Sequence, residues 1–243
     1  MNEAIFYGLK QNPGLAPSLS AQVAREIGRR IVSGSYAAGH LIEDEGALAG
    51  RYQVSRSVIR DATKVLVGKG LLEVRRGIGT RVRARANWGL LDDDVLAWFQ
   101  SAPPDDAFLR QLLDIRRVIE PKAARWAAER GSDEGIERIR VAVERMEAVT
   151  ASIEEFISAD AGFHRAVLIA AQNELLAAME GVIFSALLAS IRKTNQESAA
   201  NEDSIPFHRQ VYEAILARDG EAAERHMERL LGCLLYTSDA ADE

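Results

Sequence analysis

An aspartate and a histidine stand four residues apart in the second half of the chain, as Asp160 and His164. If this segment is helical, the spacing places both side chains on one face of the helix. A carboxylate oxygen and a neutral imidazole nitrogen on one face can bind a divalent metal ion. Two more histidines, His208 and His226, follow in the same half of the chain. The residue types therefore indicate a possible metal site shared between helices.

A second group of residues is basic and lies in the first third of the chain. The stretch VSRSVIRDATKVLVGKGLLEV, residues 54–74, is expected to contain a helix from Arg56 to about Gly68, with Arg56, Arg60 and Lys64 on one exposed face. Ser55 is the expected N-cap. The first amides of such a helix can hold phosphates, and an arginine can read guanine. The alternative is a solvated face on which these charges pair with acidic neighbours.

Two short β-type runs follow the basic helix and predict a hairpin. Their connecting turn carries Arg75, Arg76 and Gly77, and glycine lets a turn approach a groove closely. Helix, helix, turn, helix and hairpin is the order of a winged helix-turn-helix. We therefore expect these three residues to contact DNA together with the basic helix.

Caps and breakers divide the rest of the chain. We expect a flexible arm over residues 1–18, a winged helix-turn-helix domain over 19–86 that begins with a helix capped by Ser20, and an apolar connector over 87–104. A helical domain is expected over 105–232. Its helices are predicted at about 105–130, 133–149, 152–171, 173–199, 203–217 and 220–231.

Charge and composition limit the classes of function. Residues 19–86 carry 13 Lys and Arg against six Asp and Glu, whereas residues 87–243 carry 16 against 29. A basic part joined to an acidic part is typical of a nucleic-acid-binding protein with a second, different domain. No apolar run is long enough for a transmembrane helix, and the N-terminus lacks the pattern of a secretory signal. With Cys233 as the only cysteine, we expect a cytoplasmic protein without a disulfide or a membrane partner.

The last eleven residues, CLLYTSDAADE, are identical to the in-frame translation of a common sequencing-library adapter. The helical spacing of apolar residues also weakens after Leu231. We therefore expect residues 233–243 to be a non-native tail and Gly232 to be about the last native residue. The alternative is a natural terminus that frays.

The stretch LIEDEGALAGRYQVSRSVIRDATKVLVGKGLLEVRRGIGTRV resembles the DNA-binding domain of the GntR family of bacterial transcription regulators. The resemblance places family recognition residues at Ser55, Arg56, Ser57, Val58 and Arg60, with Gly77 in the wing. The chain departs from the family at residues 42–46, IEDEG, where relatives usually have Leu-Pro-Ser-Glu and often an arginine on phosphate. This departure removes one expected phosphate contact and adds acids that would repel DNA if exposed.

The second half resembles the FCD ligand-binding domain of the FadR subfamily, through DIRRVIEPKAARWAA, DAGFHRAVLIAAQN and FHRQVYEAILARDGEAA. The resemblance implies an antiparallel all-helical bundle in which an aspartate and three histidines hold a divalent metal of the Zn, Ni or Mn class. Asp160, His164 and His208 match the first three ligands. The fourth position is Leu230, and His226 lies one turn earlier.

The resemblance also implies residues that bind an effector. Arg116 matches a position that often meets a carboxylate in relatives, and Arg192 and Asn195 are further candidates. The alternative for Arg116 is an ion pair with Glu120, four residues on. The connector WGLLDDDVLAWF resembles the galactonate-responsive branch of the family, which implies a sugar acid as effector. Its own pattern predicts a short helix that docks the two domains through Trp88, Leu91, Leu96 and Trp98.

The sequence as a whole predicts a mostly α protein and a homodimeric regulator, not an enzyme. We expect a repressor that binds a palindromic operator and leaves it when a small carboxylate binds. One alternative is an activator, or a regulator that responds to another organic acid. Others are a helical scaffold and a metal-dependent enzyme that uses Asp160, His164 and His208 to activate water.

Overall fold

The computed structural model describes residues 2–9, 17–103, 105–148, 153–194 and 204–239. The chain divides into two compact units, residues 1–103 and 104–243. Helices dominate both units, and the described residues contain one two-stranded sheet, so the predicted mostly α fold is confirmed. Among the described residues, no helix is long and apolar enough to cross a membrane.

The first unit has the element order of a winged helix-turn-helix, preceded and followed by additional helices. Its elements are α1 (Asn2–Leu9), α2 (Leu19–Val32), α3 (Glu45–Tyr52), α4 (Arg56–Gly68), β1 (Leu72–Arg75), β2 (Gly79–Val82), a 3₁₀ turn (Arg85–Asn87) and α5 (Asp93–Phe99). The helix α2 is capped by Ser18, whose Oγ accepts a hydrogen bond from the amide of Ala21, and not by Ser20 as predicted.

The basic helix α4 has the bounds that the sequence predicted. Its N-cap is Ser55, whose Oγ accepts from the amide of Val58 at 3.4 Å. The side chains of Ile59, Ala62 and Leu66 form its fully buried face, which packs in the core of the unit. The helix therefore presents the opposite face, with its basic residues, to solvent.

The predicted hairpin is confirmed by two short strands on either side of the glycine-containing turn. The strands β1 and β2 pair antiparallel, and Arg75 faces Gly79 across the turn. Gly77 has a φ of +78°, a left-handed conformation that glycine adopts without the strain a Cβ would cause. A bridge between Leu41 and Arg81 ties the sheet to the segment before α3.

The connector helix α5 belongs to the core of the first unit. Leu96 and Trp98 are buried there, and the Trp98 ring lies directly against the backbone of Gly28 in α2. Leu91 is 70% exposed, so the prediction that it helps to dock the connector is wrong. The reason is its position in the turn before α5, outside the buried stripe of the helix.

Residues 2–9 form a helix where the sequence predicted a flexible arm. Phe6 is fully buried, and the carboxylate of Glu3 pairs with Arg25 and Arg29 of α2. The hydroxyl of Ser101 also donates to Glu3. These contacts are distant in sequence, so local pattern does not reveal them. The remainder of the predicted arm includes residues 10–16, which lie outside the described residues.

The second unit is a bundle of helices. Its elements are α6 (Asp106–Arg130), α7 (Asp133–Ala148), α8 (Ile153–Ala170), α9 (Glu174–Ala177), α10 (Glu180–Thr194), α11 (Ile205–Leu216) and α12 (Gly220–Asp239). The central helix α6 packs against α8, α10, α11 and α12. Two predicted boundaries are wrong. The expected helix at 173–199 is divided at Ala178 and Met179, and α12 continues beyond residue 231, through a stretch without proline.

The contact between Trp98 and Gly28 yields a stability prediction. A Cβ at residue 28 would lie 2.3 Å from the buried indole ring, so Gly28→Ala should destabilise the first unit by about 1–3 kcal/mol through overpacking. Gly50→Ala is the matched control, because no atom lies within 4 Å of a Cβ there. It should be neutral or stabilise by up to about 1 kcal/mol through helix propensity. Urea unfolding of both variants measures the difference, and equal effects would show that the ring does not press on residue 28.

Candidate metal centre and nucleic-acid interface

Three helices of the second unit bring five polar side chains into the core of the bundle. Arg116 and Glu120 lie one turn apart on α6, Asp160 and His164 lie one turn apart on α8, and His208 lies on α11. All five are buried, and none is more than 6% exposed. Because buried polar groups are costly unless they are paired, this cluster must satisfy its charges internally or with a ligand.

Three of these side chains direct acceptor atoms at one another. One ligand atom each from Asp160, His164 and His208 lies within 4.8 Å of the other two. The Nδ1 of His208 donates to the carbonyl oxygen of Ser204 at 2.8 Å, which leaves a lone pair on its Nε2. That Nε2 lies 2.9 Å from Oδ1 of Asp160, yet it has no hydrogen-bond partner. A cation between these acceptors would relieve their repulsion, so the donor set fits a metal ion.

Glu120 links the predicted metal ligands to the predicted effector ligand. Its Oε1 accepts from Nε of Arg116 at 2.6 Å, and its Oε2 contacts Nδ1 of His164. The contact with His164 does not have the alignment of a hydrogen bond. The Arg116–Glu120 pair that the sequence offered as the alternative is therefore present. It is also part of the cluster around His164.

The electrostatics of the cluster favour ionised carboxylates. Burial raises the pKa of Glu120, but the charges of Arg116 and His164 outweigh burial and lower it to about 2. Burial likewise opposes ionisation of Asp160, yet the neighbouring His164 and His208 hold its pKa well below the usual range. For His164, burial lowers the pKa, but Glu120 and Asp160 together outweigh burial and raise it. When both imidazoles are neutral, the two carboxylates outnumber the single guanidinium, and the cluster is then a negative centre that attracts cations.

The guanidinium of Arg116 is fully buried and only partly satisfied. Its second terminal nitrogen, Nη2, lies 3.1 Å from Nε2 of His164 and donates to it, whereas Nη1 has no hydrogen-bond partner. Of the other predicted effector ligands, Arg192 lies on α10 with its side chain outside the described part. Asn195 lies outside the described residues altogether.

His226 is not a member of the metal-ligand group in the described residues. It lies on α12, half-buried, with its Nδ1 shielded from solvent and without a hydrogen bond. Leu230, at the position where the resemblance placed a fourth ligand, is 1% exposed and belongs to the apolar core. The structure thus brings together three of the four predicted ligands.

The predicted DNA-contacting residues of α4 lie on its exposed face or at its start. Ser55, Arg56 and Ser57 are exposed, and Val58 is half-buried. The two serine hydroxyls lie 2.8 Å apart. These four residues occupy the first turn of the helix, where amides and side chains are available to a nucleic acid. They remain predicted contacts.

The other two basic residues of α4 form the ion pairs that the sequence offered as an alternative. Arg60 pairs with Glu45 at 2.8 Å, and Lys64 pairs with Asp61 at 2.9 Å. The basic side chains are 62% and 77% exposed, and such surface pairs contribute little free energy. A phosphate could therefore replace either acidic partner at low cost.

The acidic residues that replace the usual family motif have partners within the first unit. Glu43 pairs with Arg51 and accepts from the hydroxyl of Tyr36 at 3.2 Å. Asp44 caps α3 by accepting from the amides of residues 46 and 47, and these bonds lower its pKa. Their charges are therefore compensated locally, which weakens the repulsion of DNA that the sequence suggested.

The wing presents the remaining predicted contacts. Arg75, Arg76 and Gly77 are all exposed at the hairpin turn. Arg75 pairs with Glu73 at 3.0 Å, again at the surface. The exposed turn and the first turn of α4 are the two parts of a winged helix-turn-helix that reach DNA.

Comparisons with known proteins agree with this division. The family model of the bacterial regulatory proteins, gntR family, matches residues 19–82, and the model of the FCD domain matches residues 111–232. The structure of Lar, described as controlling expression of the Listeria monocytogenes agr system, is similar with a TM-score of 0.66 at 18% identity. That match covers 93% of this chain and 99% of Lar, and it supports the fold.

Curated relatives are similar over most of their length. The chain is 33% identical over 200 residues to the galactonate operon transcriptional repressor of Escherichia coli (strain K12), which covers 82% of this chain and 87% of that protein. It is 28% identical over 212 residues to the Glc operon transcriptional activator of the same strain, covering 84% and 82%.

The two family models match the winged unit and the helical unit in turn. The relative at 33% identity spans most of both. The chain therefore belongs to the GntR family of bacterial regulatory proteins, as a DNA-binding transcription regulator with an FCD domain.

Proposed function

We propose that this regulator is a repressor that a small carboxylate, in the first place a sugar acid, releases from its operator. The observation that carries the proposal is the buried guanidinium of Arg116, whose Nη1 has no hydrogen-bond partner. A planar guanidinium suits a carboxylate, because two parallel N–H groups can meet two oxygens. The similarity to a galactonate operon repressor supports a sugar acid as the first class of compound to test.

The proposed centre of the effector site is a divalent ion of the Zn, Ni or Mn class. Asp160, His164 and His208 would hold it through one oxygen and two nitrogens. Three protein ligands leave room for a water or a ligand oxygen, as in open zinc sites. The ion would supply positive charge for a carboxylate, and Arg116 would orient that carboxylate from the side. His226 is not proposed as a ligand, because among the described residues it does not belong to the metal-ligand group.

The proposed DNA complex is a cytoplasmic homodimer on a palindromic operator. Two copies of α4 would each read one half-site, because a two-fold dimer places equal surfaces on equal sequences. Release requires that the carboxylate bind more tightly to a state of the dimer with mismatched half-site spacing.

An activator is the second candidate. The similarity to the Glc operon transcriptional activator favours it, since the alignment with that relative covers about as much of this chain as the alignment with the repressor. Both candidates use the same DNA interface and the same effector site. A metal-dependent enzyme would rely on the same three ligands, but it would leave the winged domain without a role, so we propose that the protein is not an enzyme.

Binding to DNA upstream of its own gene tests the proposal. Fluorescence anisotropy should show binding that weakens steeply with salt, because phosphate contacts release counterions. A panel of hexonates should contain one compound that weakens binding by at least about tenfold, a typical allosteric coupling. Binding that all hexonates leave unchanged would contradict the sugar acid as effector, and binding that one of them strengthens would contradict release.

Arg56→Ala tests the recognition helix. Loss of a base-reading arginine should weaken operator binding by roughly 10- to 100-fold and reduce the preference for operator over random DNA. Arg225→Ala is the matched control, since it removes the same charge from an exposed helix of the other unit. It should change affinity by about twofold or less. Equal affinities of Arg56→Ala and the unaltered protein would remove this residue from the interface.

His208→Ala and His226→Ala test which histidines hold the ion. Elemental analysis of purified protein should show that His208→Ala loses most of the bound metal, because one of three ligands is missing. His226→Ala should retain the metal content of the unaltered protein. Equal metal in the two variants would mean that the ion lies elsewhere.

A further inference from the structure

The Nε2 atom of His164 faces two groups that both require its lone pair. It lies 3.4 Å from Oδ1 of Asp160, and His164 forms the metal-ligand group with Asp160 and His208. It also accepts a hydrogen bond from Nη2 of Arg116 at 3.1 Å. A neutral imidazole has one acceptor nitrogen with one lone pair in the plane of the ring. The lone pair can therefore serve the guanidinium or an ion, but not both.

Glu120 determines which nitrogen of His164 faces the cluster. Its Oε2 lies against Nδ1, and the negative charge of the carboxylate favours the proton of a neutral ring on that nitrogen, which leaves the lone pair on Nε2. The same carboxylate anchors Arg116 through Nε at 2.6 Å. Because this anchor is at Nε, separating the terminal nitrogens from His164 does not require the bond to Glu120 to break.

We propose that Arg116 is a built-in competitor for the metal centre: its guanidinium occupies the lone pair of His164 that a divalent ion needs. The inference rests on the metal centre proposed above and deepens it. A carboxylate that accepts the terminal N–H groups of Arg116 draws the competitor away from His164. Carboxylate and ion then strengthen the binding of each other, and by linkage the effect is reciprocal.

Isothermal titration of Zn²⁺ into the EDTA-treated full chain tests the competition. Arg116→Lys is the test variant, because its ammonium keeps a positive charge beside Glu120 but lacks the guanidinium nitrogen that reaches His164. This variant should bind Zn²⁺ more tightly than the unaltered protein, on the order of tenfold, because a hydrogen bond from a charged donor no longer has to break. Equal or weaker binding overturns the proposal.

A double-mutant cycle separates competition for the lone pair from other effects of the substitution at residue 116. With His164→Ala added to both proteins, Arg116→Lys should no longer change the affinity for Zn²⁺. A gain that persists without the imidazole would mean that the effect does not depend on the lone pair of His164, which overturns the proposal. If no protein in the cycle binds Zn²⁺, the result contradicts the proposed metal centre as well. The operator measurements then still decide whether the protein is a carboxylate-released repressor.

The unaltered protein provides a test that does not depend on the folding of variants. Nitrogen-15 NMR of the EDTA-treated protein should show one protected terminal N–H resonance of a buried arginine, assigned by its loss in Arg116→Lys. One equivalent of Zn²⁺ should remove that protection. A resonance that stays protected while Zn²⁺ is bound would show that the ion and the guanidinium do not compete.

Discussion

The structure of the helical unit depends on the burial of two carboxylates and two imidazoles beside one guanidinium. Moving such groups out of water is costly, and it is tolerated only where opposite charges and hydrogen bonds compensate. Arg116 compensates Glu120, and Glu120 contacts His164. Asp160 and His208 are compensated less well, since the imidazole Nε2 faces a carboxylate oxygen without a donor between them. A cation or a proton completes this side of the cluster.

The proposed effector response of the helical unit follows from this constraint. The apolar bundle fixes α6, α8 and α11, and each helix contributes polar atoms to the cluster. A ligand that binds these polar atoms stabilises the arrangement of helices in which the atoms lie closest together. This stabilisation is the physical basis of a population shift. The winged unit needs no such centre. Its basic residues lie at the surface and form weak pairs that a phosphate can replace.

Features with local causes were predictable from the sequence. Ser55 and the basic helix that follows it were placed correctly, because a capping serine, an apolar stripe and a following glycine all lie within one short segment. The spacing of Asp160 and His164 likewise sufficed to place them on one face of α8. The match to His208 came from the resemblance, since no periodicity connects residues 44 positions apart.

Features with distant causes were missed. The helix α1 depends on Phe6 and Glu3 meeting α2 and the end of α5, and no local signal records these contacts. Glu120 was recognised only as a partner of Arg116, because its contact with His164 joins two helices. Spacing along α12 was equally consistent with a role for His226, but packing places that imidazole outside the cluster.

The central claim is that Asp160, His164 and His208 surround a divalent ion once the lone pair of His164 is free. Anomalous diffraction at the zinc edge, from crystals of the full chain grown with Zn²⁺, tests this most directly. We predict one strong peak in the bundle core, about 2.0–2.2 Å from the carboxylate oxygen of Asp160 and from Nε2 of both histidines. A peak only at surface residues, or a bundle core in which Arg116 still binds His164 at saturating Zn²⁺, would contradict the account.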